Sequence, residues 1–276
     1  MTVRPGETTG CYPRNVPLID IEFQSISGTY DVCIVGSGAA GMTLALELAA
    51  AGQEVLLCEG GGQSYEVRSQ DAYVGDATGE PYYPLNTARM RYVGGTTNHW
   101  AGYCHPLQES DFAARDDLTV PSWPIAYSDI QPHFKQAEKI VGLPNDPWNY
   151  PALEASLGLP KIFDETDGMS STAFRWPDML KFREKYFDQL INTPNVTVAI
   201  NANLVDLEFG MVKNVVSAAY FKNYRGEVRK AQAKSFVIAC GGIENAKLLL
   251  NLASDHTQFI DVAPNIGQFF MEHLCY

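Results

Sequence analysis

Six consecutive residues, Gly36-Ser37-Gly38-Ala39-Ala40-Gly41, carry the spacing G-x-G-x-x-G, and an acid, Glu59, follows 18 residues after the last glycine. Together these residue types can hold a phosphorylated ligand. Glycine has no Cβ, so backbone can approach a pyrophosphate closely. A helix that starts at such a turn offers unpaired N–H groups and a partial positive charge to the phosphates. A carboxylate placed like Glu59 can accept hydrogen bonds from a ribose diol. The implied chemistry is binding and orientation, because Ser37 is not in a nucleophile elbow and no Ser–His–Asp order stands out.

The flanking residues supply the elements that such a site needs. Val32 to Val35 is an apolar run that reads as a strand, Met42 to Ala51 reads as a helix, Gly52 breaks it, and Val55 to Cys58 reads as a second strand ending at Glu59. Strand, glycine turn, helix, strand and acid together form a βαβ dinucleotide-binding unit. A second glycine passage, Val93-Gly94-Gly95-Thr96-Thr97-Asn98-His99-Trp100-Ala101, makes a poor core element. It suits a cradle where backbone runs close to a flat ligand.

Along the rest of the chain, residues 1–29 read as a polar, proline-bearing arm with no regular element, and 63–90 show no period. Ser128 reads as an N-cap, with Ile130, Phe134, Ala137 and Val141 on one helical face; a further helix is expected from Pro177 to Asn192. Strands are expected at 196–200, 204–209, 215–221 and 228–233, with a hairpin at Asn223–Gly226. A separate buried strand follows in 234–242, and then a helix from Ile243 to Leu252 that buries Leu248, Leu249 and Leu252.

Bulk properties narrow the class. The 276 residues are 46% hydrophobic and 19% charged, as in a folded globular chain. The net charge of −12, with no basic stripe, argues against a nucleic-acid partner. No apolar run reaches membrane-spanning length and no signal-peptide core precedes residue 30. Six cysteines occur without a CxxC pair, and Cys33, Cys58 and Cys240 fall in or at the end of expected strands. That usage suits a reducing, cytoplasmic compartment and gives no metal site; no histidine has metal-ligand spacing.

In order and spacing, four passages resemble the glucose–methanol–choline oxidoreductases, flavin enzymes that oxidise alcohols and sugars. They are GSGAAG with Glu59, the GGTTNHW passage, the strand from Phe236 to Gly242 leading into Ile243-Glu244-Asn245, and Asn265-Ile266-Gly267 followed by Met271-Glu272-His273. The GGTTNHW wording is most similar to the branch holding pyranose oxidase and the flavin-dependent gluconate dehydrogenases. The resemblance implies an α/β fold: a Rossmann-like FAD-binding domain, βαβ plus β-meander, with part of an inserted substrate domain. It implies FAD as cofactor and an alcohol or sugar as substrate. By the same resemblance Gly36, Ser37, Gly38, Ala39, Ala40 and Gly41 hold the pyrophosphate and Glu59 the adenosine ribose. Gly94, Gly95, Asn98, His99, Trp100 and Ala101 line the flavin. Leu204 meets adenine through its backbone, and Cys240 and Gly241 close over the dinucleotide. His99 matches a histidine that is covalently joined to the flavin in pyranose oxidase; stacking or hydrogen bonding beside the ring is the other role open to it. Ala101 stands where that enzyme has a hydroxyl residue near flavin N5.

The expected layout is an arm over 1–29, a first part of the FAD domain over 30–110, a partial substrate or cap segment over 111–194, and the second part of the FAD domain over 195–276. In this family the catalytic base lies near the C-terminus, beyond the passages matched here, so no catalytic residue is assigned. The expectation is a front half that is poorly stable and inactive alone, completed by a second subunit or a C-terminal half. Rival readings are a non-catalytic flavin-holding subunit, an NAD(P)-dependent enzyme sharing only the βαβ unit, and a structural module with a vestigial site.

Overall fold

A computed structural model describes residues 17–272 apart from 115–121, 147, 149, 159–171, 179, 213, 260 and 262. Cys11, Cys275 and His273 therefore lie outside the described residues. The strands are β1 Leu18–Asp20, β2 Thr29–Val35, β3 Val55–Cys58, β4 Val196–Ile200, β5 Asn203–Phe209, β6 Val216–Lys222 and β7 Val228–Ile238. The helices are α1 Ala39–Ala50, α2 Val67–Gln70, α3 Tyr127–Ile130, α4 Phe134–Val141, α5 Tyr150–Leu157, α6 Phe182–Asn192 and α7 Gly242–Asp255. Among the described residues the seven strands form one sheet in the order β1-β4-β3-β2-β7-β6-β5. The pairs from β1 to β7 are parallel, and β7-β6-β5 form an antiparallel meander. This is the mixed α/β, Rossmann-like architecture.

The central strands are buried on both faces, which is why they read as unbroken apolar runs instead of alternating ones. One face carries Val32, Ile34, Val55, Leu57, Val196 and Val198, packed on Met42, Ala45 and Ala49 of α1 and on Phe182, Phe187 and Leu190 of α6. The other carries Cys33, Val35, Leu56, Cys58 and Ala199, continuous with Leu204, Leu207 and Phe221 of the meander and Leu252 of α7. No helix among the described residues is long and apolar enough to cross a membrane.

Several elements depart from the sequence reading. The N-terminal segment contributes β1, paired in parallel with β4, and buries Ile19, Ile21 and Ile26. The two strands expected within 228–242 are one strand of 11 residues. Its first part pairs with β6 and its second with β2, so its two halves meet different neighbours and show different patterns. The helix expected from Pro177 starts at Phe182. The helix expected from Ser128 is broken at Gln131–His133, a 3-10 turn containing Pro132. Asp129, not Ser128, caps its start by accepting the Ala126 N–H at 2.8 Å. Ala137 faces solvent, and Glu138 takes the buried position. In α7 Leu252 is buried, whereas Leu248 and Leu249 are partly exposed. Helix α5 falls in a stretch where no element is expected.

Candidate functional site

The site is built where β2 ends. Gly36 turns with φ +103°, and a Cβ there would press on the Ala239 carbonyl where β7 passes. Gly41 sits against the same turn, and a Cβ on it would land on the Gly36 carbonyl oxygen. Gly38 differs, since a Cβ there would meet nothing within 4 Å. Gly38 is the N-cap of α1, no side chain caps this helix, and no acid occupies its first turn. The free N–H groups of that turn are thus left for a ligand.

Glu59 is fixed against the glycine turn. Its Oε2 accepts from the Ser37 N–H at 3.1 Å and the Ser37 hydroxyl at 2.6 Å, and its Oε1 accepts from the Gly61 N–H at 2.9 Å. The second glycine passage begins on the same turn: the Gly94 N–H donates to the Ser37 carbonyl at 3.1 Å and to the Ser37 hydroxyl oxygen at 3.3 Å. From Gly94, with φ +94°, the chain forms a 3-10 turn over Gly95–His99. The Thr97 hydroxyl holds this turn by donating to the Gly94 carbonyl at 2.6 Å and accepting the Phe182 N–H that opens α6 at 3.2 Å.

These segments surround a cavity of about 380 Å³. Of the residues expected at the site, Gly36, Ser37, Gly38, Glu59, Gly95, Leu204, Cys240 and Gly241 line it. Ala39, Ala40 and Gly41 do not; they form the first turn of α1 behind the glycine turn. Gly94 and Asn98 also stand back from the cavity, the Asn98 amide donating to the Val93 and Gly95 carbonyls at 2.9 and 3.0 Å. His99, Trp100 and Ala101 are exposed and do not line it, because the 3-10 turn carries the chain outward after Thr97. Beside the glycine turn, just past the end of β7, Gly241 is the N-cap of α7, again without a side-chain cap, and a Cβ on Gly241 would meet nothing within 4 Å. Two helix N-termini thus line one space; the acid-free end of α1 offers a favourable field for bound phosphate, whereas α7 carries Glu244 in its first turn, paired with Arg89 and Lys247.

The sequence reading missed a cationic wall. The Arg91 guanidinium stacks on Gly60 closely enough to leave no room for a Cβ there. It donates to the Tyr224 hydroxyl at 2.8 Å and to Asn203 Oδ1 at 2.7 Å. Arg89 lies 3.9 Å above the Tyr73 ring and pairs with Glu244 at 3.2 Å. Burial, then Glu59, pushes Tyr73 well above the usual phenol range. Burial, with Glu59 and Glu244 nearby, pushes the Cys240 thiol up to about 12, so it stays protonated. Both arginines stand just before Gly94-Gly95 in the sequence, and that adjacency was the available signal.

Residues 30–266 match the family model described as pyridine nucleotide-disulphide oxidoreductase. The chain belongs to that family. As a member of the pyridine nucleotide-disulphide oxidoreductase family it has FAD as cofactor. The residues present fit that group: glycine backbone with open space above it, an uncapped helix end for the pyrophosphate and a fixed carboxylate beside it. Comparison with curated proteins finds no match. Among solved structures the chain is similar to formate oxidase, with 19% identity and a TM-score of 0.52 over 82% of this chain and 48% of that one. It is also similar to pyridoxine 4-oxidase from Mesorbium loti, with 19% identity and a TM-score of 0.49 over 80% and 51%. The formate oxidase likeness supports the fold, and the chain spans about half the length of either structure.

Proposed function

We propose that the chain is the FAD-holding part of a glucose–methanol–choline-type enzyme that oxidises a CH–OH group of an alcohol or sugar, in or near the branch with pyranose oxidase. The observation that carries this reading is the pair of Gly94–Ser37 hydrogen bonds. They start the GGTTNHW passage on the nucleotide turn itself, which sets the two glycine passages side by side at one site. When bound, FAD supplies a two-electron acceptor for hydride. The chain's own residues bind and orient. The N-terminal end of α1 at Gly38 faces the pyrophosphate, Glu59 takes a ribose hydroxyl, and Leu204 faces adenine. Gly95 and Thr96 start the flavin side, and His99, Trp100 and Ala101 continue it outward. No histidine among the described residues lines the cavity, and in this reading the base that takes the hydroxyl proton is not one of the described lining residues. In this reading residues 30–110 and 195–276 make one FAD domain, 111–194 are part of a cap, and the arm over 1–29 adds β1 to the sheet. Buried free cysteines at 33 and 58 suit a cytoplasmic setting.

A second reading makes the chain a flavin-holding subunit whose catalytic groups come from another chain. The half-exposed rings of Trp100, Tyr103, Phe174 and Trp176 favour it, since clustered exposed aromatics mark surfaces that something covers. The test is anaerobic mixing of the flavin-loaded protein with primary alcohols and pyranoses. The first reading expects no bleaching by the chain alone, and bleaching with at least one of them when the chain is tested within a polypeptide that also carries the catalytic base. Bleaching only after a partner chain is added supports the second. Rapid bleaching by NADH or NADPH, with none by any alcohol or sugar, contradicts both.

A further inference from the structure

Ser37 is 1% exposed and lies between the two glycine passages. Its hydroxyl does two jobs at once, donating to Glu59 Oε2 at 2.6 Å and accepting the Gly94 N–H at 3.3 Å. Its own N–H reaches the same Glu59 oxygen at 3.1 Å, and Gly61 N–H takes the other oxygen at 2.9 Å. A carboxylate has about four lone-pair sites. Protein donors fill three of them, which leaves one, on Oε1. Glu59 is therefore held at both oxygens and presents a single acceptor to the cavity it lines.

We infer that the Ser37 hydroxyl is a positioning residue that locks Glu59, so that the adenosine end of the ligand is read through one ribose hydroxyl, and ties that reading to the start of the second glycine passage. The inference rests on Glu59 being the ribose acceptor. The chemistry is that of a charge-assisted hydrogen bond, in which the short O–H···O contact fixes the carboxylate more firmly than a neutral pair would. Without the hydroxyl, Glu59 keeps only backbone donors. It regains lone-pair capacity on Oε2 and rotational freedom, and its selectivity for one ribose position falls.

The experiment titrates the flavin-free chain with ADP, 2′-deoxyADP and 3′-deoxyADP by calorimetry. The wild type is expected to bind one of the two deoxy compounds about tenfold more weakly than ADP and the other nearly as well, since a hydrogen bond to a charged group is worth about that factor. In Ser37→Ala the gap should shrink below about threefold. Glu59→Gln should shrink it as well, and the double variant should lose no more than the single ones. Should Ser37→Ala fail to reach wild-type helix content, Ser37→Gly gives the same reading. A wild-type gap that persists unchanged while Ser37→Ala weakens all three ligands equally overturns the inference and leaves the role of Glu59 standing. A wild type that binds all three alike removes Glu59 from the ribose, and the inference falls with it.

Discussion

Three glycines in one turn do different work. Gly36 and Gly41 are excluded from carrying a side chain by the protein's own backbone, whereas Gly38 faces open space. Gly41→Ala should therefore unfold the turn and cost several kcal/mol, as overpacking of a tight contact does. Gly38→Ala should change stability by less than about 1 kcal/mol yet weaken FAD binding at least about tenfold, because the new methyl group occupies the ligand's space. Thermal melts paired with FAD titration of both variants check this; equal stability losses would contradict it. The glycines and Glu59 were legible in the sequence because steric exclusion and ribose recognition each demand one residue type at one spacing. Arg91 and Tyr73 were not. Their place in the wall depends on stacking across segments remote in the chain, which leaves no local period.

The elements that hold the site were legible where burial is two-sided and opaque where contacts are long-range. Strands β2, β3 and β4 announce themselves as apolar runs. Strand β1 is three residues long and exists only through pairing with β4, nearly 180 residues on. Ile21, just after it, is fully buried, and its N–H donates to the Ile200 carbonyl at 3.3 Å. Ile21→Ala should cost about 2–5 kcal/mol in urea melts; a loss within about 0.5 kcal/mol would show that the segment is only an arm. The region between the two parts of the sheet is tied by Glu138, which the helical pattern did not place inside. Glu138 accepts the Trp148 indole N–H at 2.8 Å and pairs with Lys135 at 3.0 Å and Arg175 at 3.8 Å. Burial opposes its charge, but Trp148, Lys135 and Arg175 together hold its pKa below the ordinary value. With the folded value below the unfolded one, the tie is intact above the unfolded pKa and is lost as pH falls through the folded value. The Trp148 indole N–H resonance should thus shift on acidification below about pH 4 and should not titrate in Glu138→Gln. A resonance indifferent to pH in the wild type would remove Glu138 from this role.

At the scale of the molecule, one sheet with helices on both faces places two uncapped helix N-termini, a fixed carboxylate and a second glycine passage around a single cavity. The acidic chain, with net charge −12, receives an anionic ligand there only because the α1 dipole and Arg91 outweigh the long-range repulsion locally. The direct measurement is the absorbance spectrum of the purified protein, before and after added FAD and gel filtration. The account predicts flavin bands that travel with the protein at one FAD per chain and are lost in Gly38→Ala. A folded wild-type protein that stays colourless after saturation with FAD would contradict it.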